Sequence, residues 1–512
     1  MSGVSVAIRT TSRRRLLALA LLCAVQFMVV LDVSIVNIAL PSIEEDLGFS
    51  EKNLQWVVSG YALTFGGFLL LAGRAADLFG RRRFFMIGLG IFTASSLVCG
   101  LAGSAAVLVA ARAAQGLGAA VVSPAALSLL TTTFREGDER NRALGVWGAV
   151  AAGGAAAGLL LGGFLTAGLG WEWVFFVNVP VGAVAIALAP MLLSESRDLI
   201  DAPRLDLLGA VTVTGGLVLL VYGLTQAEGA GFDSFRTIGL LAVAAALLVA
   251  FRIVEGRVES PLVPFRVFRS RTLTGANLVA LVSAAVIGAQ GFFSTLYLQQ
   301  ILGYSPITTG LAFLPLTLTI MATSALGSRL VSRVGTKPMM VAGMISLTIG
   351  MLLLGRIPVE GSYVADLLPG FFLFALGLGL TFVTAIVAAT AGVADSEQGL
   401  ASGLINTSQQ VGTALGLEIL VTVAAARTDS LAGNVGPSAT ALVEGYRYGF
   451  AGGGGLAVVG VLVVLFFVRE RECAEEVSRP GPEPGRVPCP PATTVAVKYR
   501  DRRPQQSQKA KE

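Results

Sequence analysis

The chain is predicted to be an all-α polytopic membrane protein, and three observations carry that reading. Its composition is 54% hydrophobic and only 13% charged, where a soluble domain carries roughly 25% charged residues. Its mean hydropathy is +0.75. Its apolar residues fall into many separate runs of about 20, the length that crosses a bilayer as a helix.

Fourteen spans are predicted, over 16–40, 54–73, 84–103, 105–129, 143–166, 173–193, 206–226, 237–254, 273–298, 308–330, 338–355, 366–392, 399–425 and 448–468. The first follows Arg9, Arg13, Arg14 and Arg15, as a signal peptide would. The run is too long and no small-residue cleavage site follows, so it reads as a retained helix. An even number of spans puts both termini on one side. With that side cytoplasmic, the inner loops and N-terminal segment hold 21 Lys or Arg, among them Arg74, Arg81, Arg82, Arg83, Arg329, Arg333 and Lys337. The outer loops then hold five, Lys52, Arg236, Arg356, Arg427 and Arg447, so the positive-inside rule fixes both termini in the cytoplasm. The tail from Arg469, rich in Pro, Arg, Glu and Gln, is expected to be disordered.

An internal echo predicts two related halves. SRLVSRVGTK at 328–337 aligns with GRAADLFGRR at 73–82, matching Gly335 to Gly80 and placing Ser332 where Asp77 stands. The echo divides the chain into a cytoplasmic segment 1–15, a six-helix bundle 16–195, an inserted helix pair with linkers 196–270, a second six-helix bundle 271–468 and a tail 469–512. Repeats of this kind are common in secondary transporters, with the site near the midplane between halves.

Several chemistries are excluded. The chain has no histidine, so a His-ligated metal and a Ser-His-Asp triad are impossible. No metal site or cofactor is expected: the four cysteines lack ligand spacing, and there is no G-x-x-x-x-G-K-[ST], HExxH or GxSxG. An enzyme and an ATP-driven pump are both disfavoured. The net charge of +5 collects in loops, where it orients the protein in the lipid bilayer rather than binding nucleic acid.

Charges inside spans are costly and mark function by default. Asp32 lies in VVLDVSIVNIALP, Arg112 in LVAARAAQGLGAA and Glu418 in GTALGLEILVTV. These three are the proton-coupling candidates. Gln115 shares a helical face with Arg112, while Asn406, Gln410 and Thr413 form a stripe in span 13 that Glu418 flanks. Gln115, Asn277, Gln290, Asn406 and Gln410 are candidates for a substrate cavity. Gly148, Gly158, Gly162 and Gly163 in span 5 are expected to let helices pack closely. Polar stripes can equally be helix-to-helix glue, so both readings stay open.

The stretch GRAADLFGRRR at 73–83 resembles the loop signature between the second and third helices of the major facilitator superfamily. With LDVSIVNIALP, LVAARAAQGLGAA, WEWVFFVNVPVG and GLASGLINTSQQVGTALG, the chain resembles the fourteen-helix drug:proton antiporters of the EmrB/QacA type. That resemblance implies the major facilitator fold, two six-helix bundles plus an inserted pair. It also implies proton-driven export of lipophilic drugs across a bacterial cytoplasmic membrane. Asp32 and Arg112 would act in coupling, and Gly73, Asp77, Gly80, Arg81 and Arg82 would form a cytoplasmic latch. The span-5 motif of the family carries a proline that Leu159 replaces here. With Asp32 and Glu418 as acids, cationic or zwitterionic substrates are favoured. The alternative is a dedicated exporter of one endogenous metabolite or self-made antibiotic. A monomer is expected.

Overall fold

A computed structural model describes residues 2–134, 138–195, 206–230, 234–258, 261–263, 265–390, 398–431 and 438–468. The expected disordered tail lies outside the described residues. Lipid offers no partner to backbone N–H and C=O groups, so each apolar run satisfies them internally as a helix. The long helices are α1 (Ser2–Leu47), α2 (Trp56–Phe79), α3 (Arg81–Gly100), α4 (Ala105–Thr133), α5 (Asp138–Gly168), α6 (Asn178–Leu192) and α7 (Leu207–Ala230). They continue with α8 (Phe235–Glu255), α9 (Arg271–Leu296), α10 (Leu314–Val334), α11 (Thr336–Leu354), α12 (Leu368–Thr390), α13 (Gln398–Leu431) and α14 (Ala439–Phe467). Fourteen described segments are long and apolar enough to cross a membrane, the sixth only when α6 is taken together with the turn before it, over Trp173–Leu192.

Several edges differ from the sequence reading, and two of the differences matter here. Helix α1 continues through Pro41 to Leu47, so Glu44, Glu45 and Asp46 form its last turns rather than a loop. Helix α14 starts at Ala439 rather than near 448, capped by Ser438, whose Oγ accepts from the Ala441 N–H at 3.3 Å. Arg427 and Arg447, expected in an outer loop, therefore sit on helices, and both pair with Glu444. Hydropathy ends where the hydrocarbon ends, but helical hydrogen bonding continues into the polar layer, where arginines reach toward water.

Helices α1 and α5, α2 and α4, and α3 and α4 pack together in the first bundle, and α9 and α13, α11 and α12, and α11 and α14 in the second. The repeat is visible in matching close approaches. A Cβ on Gly118 of α4 would stand 2.5 Å from the Phe92 amide nitrogen of α3, and one on Gly377 of α12 would stand 2.5 Å from the Leu347 amide nitrogen of α11. The turns echo as well: Gly80 (φ 115) alone joins α2 to α3, and Gly335 (φ 90) alone joins α10 to α11. Counting back from Gly118 and Gly377, Arg112 and Gln115 correspond to the buried Phe371 and Phe374. Likewise Gly158 rests on Leu31 as Gly412 rests on Leu281 and Gly416 on Ala285, so in either register a buried valine, Val282 or Val286, stands where Asp32 does. The repeated scaffold thus carries its polar core in the first bundle and apolar side chains at the same places in the second.

Between the bundles, α7 packs on both α2 and α13, and α8 packs on α7. The end of the molecule holding Arg15, Gly80, Gly335 and Val468 is termed the near face, and the opposite end the far face. At the far face the bundles interlock. A Cβ on Gly163 of α5 would meet the Pro306 carbonyl oxygen at 2.5 Å. Gln299 donates to the Ile38 carbonyl at 2.9 Å, and Gln300 donates to Glu44 at 2.8 Å.

Candidate functional site

The deepest polar group in the first bundle is built around Asp32, which is completely buried on α1. Its Oδ2 accepts from Arg112 Nη1 at 2.7 Å, and its Oδ1 accepts from Gln115 Nε2 at 2.7 Å and Asn178 Nδ2 at 2.8 Å. Arg112 spends its Nε on the Val57 carbonyl at 2.8 Å, and its Nη1 also reaches Gln115 Oε1 at 2.6 Å. Gln115 Nε2 donates onward to Ser96 Oγ at 2.8 Å. The guanidinium carbon lies 4.4 Å from the centre of the Tyr61 ring.

This geometry follows from helical spacing. Arg112 and Gln115 are three residues apart on α4, hence on one face, and that face meets α1. The carboxylate accepts three hydrogen bonds and faces one guanidinium, so the pair is compensated despite burial, as a buried ion pair requires.

Asp32, Arg112 and Gln115 come together, although Gln115 was expected in a cavity wall. Ser96, Asn178 and Tyr61 complete the set and were missed. The motif WEWVFFVNVPVG contains Asn178, and an amide in so apolar a run was the available signal. Glu418 is also completely buried, on α13 of the second bundle.

A cavity of about 180 Å³ lies in the second bundle, lined by α9, α12 and α13. Its polar side chains include Ser283, Gln409, Gln410 and Thr413, set among Ile287 and Phe382. Gln410 backs onto α2, where a Cβ on Gly66 would touch the Gln410 Cβ at 2.7 Å. Of the other expected cavity residues, Asn277 donates to the Leu273 carbonyl and accepts from Ser408 Oγ at 3.0 Å, pinning α9 to α13. Gln290 donates to Ser294 on its own helix at 3.1 Å. Asn406 is exposed. Gln409, which sequence reasoning passed over, lines the cavity beside Gln410.

At the near-face turn, Gly80 takes a left-handed conformation and lies against Glu195, just beyond α6. Glu195 Oε1 accepts from the Arg82 N–H at 3.0 Å, and Arg82 Nη1 donates to the Leu193 carbonyl at 3.2 Å. Arg82 and Arg83 both pair with Glu195 and so tie the turn to the end of α6 in its own bundle, and Glu195 is the residue sequence reasoning missed. The Asp77 side chain lies outside the described residues. Gly73 faces Pro124 at an ordinary 3.4 Å.

In α5, Gly158, Gly162 and Gly163 make close approaches, to Leu31, Ile35 and Pro306 respectively. Gly148 is a correction: it is exposed, and a Cβ there would meet nothing within 4 Å. Gly145, Gly153 and Gly168 likewise meet nothing within 4 Å, whereas Gly154 faces Phe27 of α1.

Two repeated helical bundles, with a buried acid–base cluster in one and a polar-lined cavity in the other, define a membrane transporter. Residues 22–417 match the family model of the Major Facilitator Superfamily, and the chain belongs to that family. It is 42% identical over 492 residues to the puromycin resistance protein of Streptomyces alboniger, covering 94% of this chain and 97% of that one. It is 41% identical over 420 residues to the cephamycin export protein CmcT of Amycolatopsis lactamdurans, covering 80% and 85%. Among solved structures, a bacterial homologue of the human lysosomal transporter Spinster, inward-facing and unoccupied, aligns with a TM-score of 0.64 at 18% identity, covering 89% of this chain and 98% of that one. A peptide transporter of the POT family aligns with a TM-score of 0.66 at 17% identity, covering 88% and 96%. These two likenesses concern the fold alone.

Proposed function

We propose that the protein exports lipophilic antibiotics or drugs from a bacterial cytoplasm in exchange for protons, by alternating access. The near face is then cytoplasmic, a side that the excess of Lys and Arg in its loops supports. Residues 16–195 and 271–468 are the two moving units, and 196–270 is the insert. The observation that carries this reading is the buried Asp32–Arg112 pair at 2.7 Å. Proton entry converts it from a neutralised pair to a lone buried cation, so occupancy by a proton and the arrangement of α1 against α4 are coupled. One charge crossing 100 mV supplies about 2.3 kcal/mol.

The substrate enters the cavity beside Gln409 and Gln410. That wall is uncharged, and Arg112 already answers Asp32. The amides select for hydrogen-bonding lipophiles. Efflux from proteoliposomes under an imposed pH gradient, run across a compound panel, tests this. Transport indifferent to the gradient would refute it. A narrower reading, export of one self-made antibiotic, is favoured by the relatives named for puromycin and cephamycin. A panel in which one scaffold alone moves would select it.

A further inference from the structure

The inserted helix pair carries a second acidic site that the transport cycle above does not use. Asp206, 3% exposed, precedes α7, and Glu255, 5% exposed, ends α8 at the same face. Asp206 caps its helix: Oδ1 accepts from the Gly209 N–H at 2.7 Å. Its other oxygen, Oδ2, is buried and has no hydrogen-bond partner. Glu255 organises the chain that follows it, with Oε1 accepting from the Leu262 N–H at 3.2 Å and Oε2 from the Val263 N–H at 3.1 Å. Both carboxyls border one apolar cluster, since Ala210, next to the Gly209 that Asp206 caps, packs with Leu262 and Val263, whose N–H groups Glu255 holds. Gly209 makes room, since a Cβ there would collide with Asp206 Oδ2.

Among the described residues no base answers the pair. On α8, the Arg252 guanidinium is stacked over Phe265 at 4.3 Å, and Arg257 beyond it is exposed. From α2 the facing side chains are Phe68, Leu70 and Leu71, which pack with Ala210, Leu262 and Val263 and carry no charge. Arg74, one turn further along α2, is the next charged side chain on that helix. Joint ionisation of two carboxylates at one apolar cluster is disfavoured, and a proton held between them would give the orphan oxygen a partner.

We propose that Asp206 and Glu255 bind one proton between them and that this proton fastens the near-face mouth of the α7–α8 hairpin onto α2. The link reaches the seam between the bundles, because Leu70 also abuts Gly403 of α13. With the proton gone, like charges face each other, Glu255 swings away, and Leu262 and Val263 leave the cluster. The site would thus register proton activity at the near face separately from Asp32. This inference does not depend on what the protein transports.

The test uses the full chain in lipid nanodiscs. Infrared spectra of wild type against Asp206→Asn should show a protonated-carboxyl band at neutral pH that the variant lacks. Asparagine still caps a helix and offers Glu255 a permanent donor, so it mimics the protonated pair. In parallel, Val263→Cys with Cys473→Ser and Cys489→Ser is labelled by a maleimide across a pH series. Measured against an exposed control cysteine, which carries the thiolate dependence common to all thiols, labelling should accelerate several-fold more as pH rises, and Asp206→Asn should hold that ratio low and constant. Identical infrared spectra, or labelling in the Asp206→Asn background that follows wild-type pH dependence, would overturn the proposal. The infrared comparison needs no cysteine, so it stands even if Val263→Cys perturbs the loop.

Discussion

Arg112 donates to Asp32 at 2.7 Å in a place where neither side chain exceeds 2% exposure. The pair joins α4 to α1 and gathers Gln115 and Asn178 onto the same carboxylate. A full charge is tolerated at such depth only with a compensating charge and filled hydrogen-bond sites.

Asp32→Asn should therefore do two separable things. It leaves Arg112 buried without a counter-charge, which costs about 3–5 kcal/mol of stability. It also removes the proposed proton-binding carboxyl, so efflux driven by a pH gradient should cease. Adding Arg112→Gln should recover much of the stability, by thermal unfolding in detergent, without recovering gradient-driven efflux. Undiminished coupling in Asp32→Asn would refute the assignment.

Gly80→Ala should destabilise the near-face turn. An L-residue at φ 115 pays roughly 1–2 kcal/mol for the left-handed conformation, and its Cβ would stand 2.8 Å from Glu195 Oε1. Gly148→Ala, with open space around it, should be neutral or slightly stabilising, since alanine favours helix by about 1 kcal/mol over glycine. Unfolding midpoints of the two variants decide; equal midpoints would mean that the turn tolerates the side chain.

The contrast between these glycines shows what sequence could and could not convey. The fourteen spans and the paired turns were legible because hydrophobic thickness and left-handed glycine are local constraints. Asp32 and Arg112 stood out because a charge in an apolar run has few structural excuses. Their partners Ser96 and Tyr61 did not, since hydroxyls are common in membrane helices and only tertiary packing decides which one faces a carboxylate. The same holds for Glu195, a lone acid beyond α6 whose role depends on where Gly80 turns the chain. Asn277 and Gln290 looked like cavity residues by type, yet they bond within their own bundle. Gln409 and Gln410 are adjacent, 100° apart around the helix, and composition alone could not tell that α13 turns both toward the cavity.

Far-face closure rests on α5 lying flat against the Pro306 segment. Gly163→Ala inserts a methyl where a Cβ has 2.5 Å to the Pro306 carbonyl. Since that atom is backbone, the bundles must separate, and the population should move toward a far-face-open form. Spin labels at Glu45→Cys and Ser305→Cys, both exposed, should report a longer mean distance in the variant. Gln300→Ala, which removes bonds to Glu44 and Tyr446, should act in the same direction more weakly. An unchanged distance distribution in Gly163→Ala would mean that the contact does not hold the far face shut.

The cavity prediction turns on which polar atoms have room for a ligand. Gln409 and Gln410 line the cavity and their side-chain amides make no hydrogen bond to described residues. Thr381 lines it too, but its buried hydroxyl is unpartnered and lies against Gly343 of α11. Gln410→Leu should weaken binding of hydrogen-bonding substrates by about 2- to 10-fold, the equivalent of one lost hydrogen bond of about 0.5–1.5 kcal/mol. It should leave purely apolar compounds unaffected. Thr381→Val removes an unsatisfied hydroxyl facing away from the cavity, so it should raise thermal stability, by up to about 1–3 kcal/mol, with affinity retained. Binding measured by ligand fluorescence in detergent, beside unfolding curves, separates the two. If Thr381→Val weakened binding as much as Gln410→Leu, the ligand would have to approach α11, and the assignment of the amides as its recognition surface would fail.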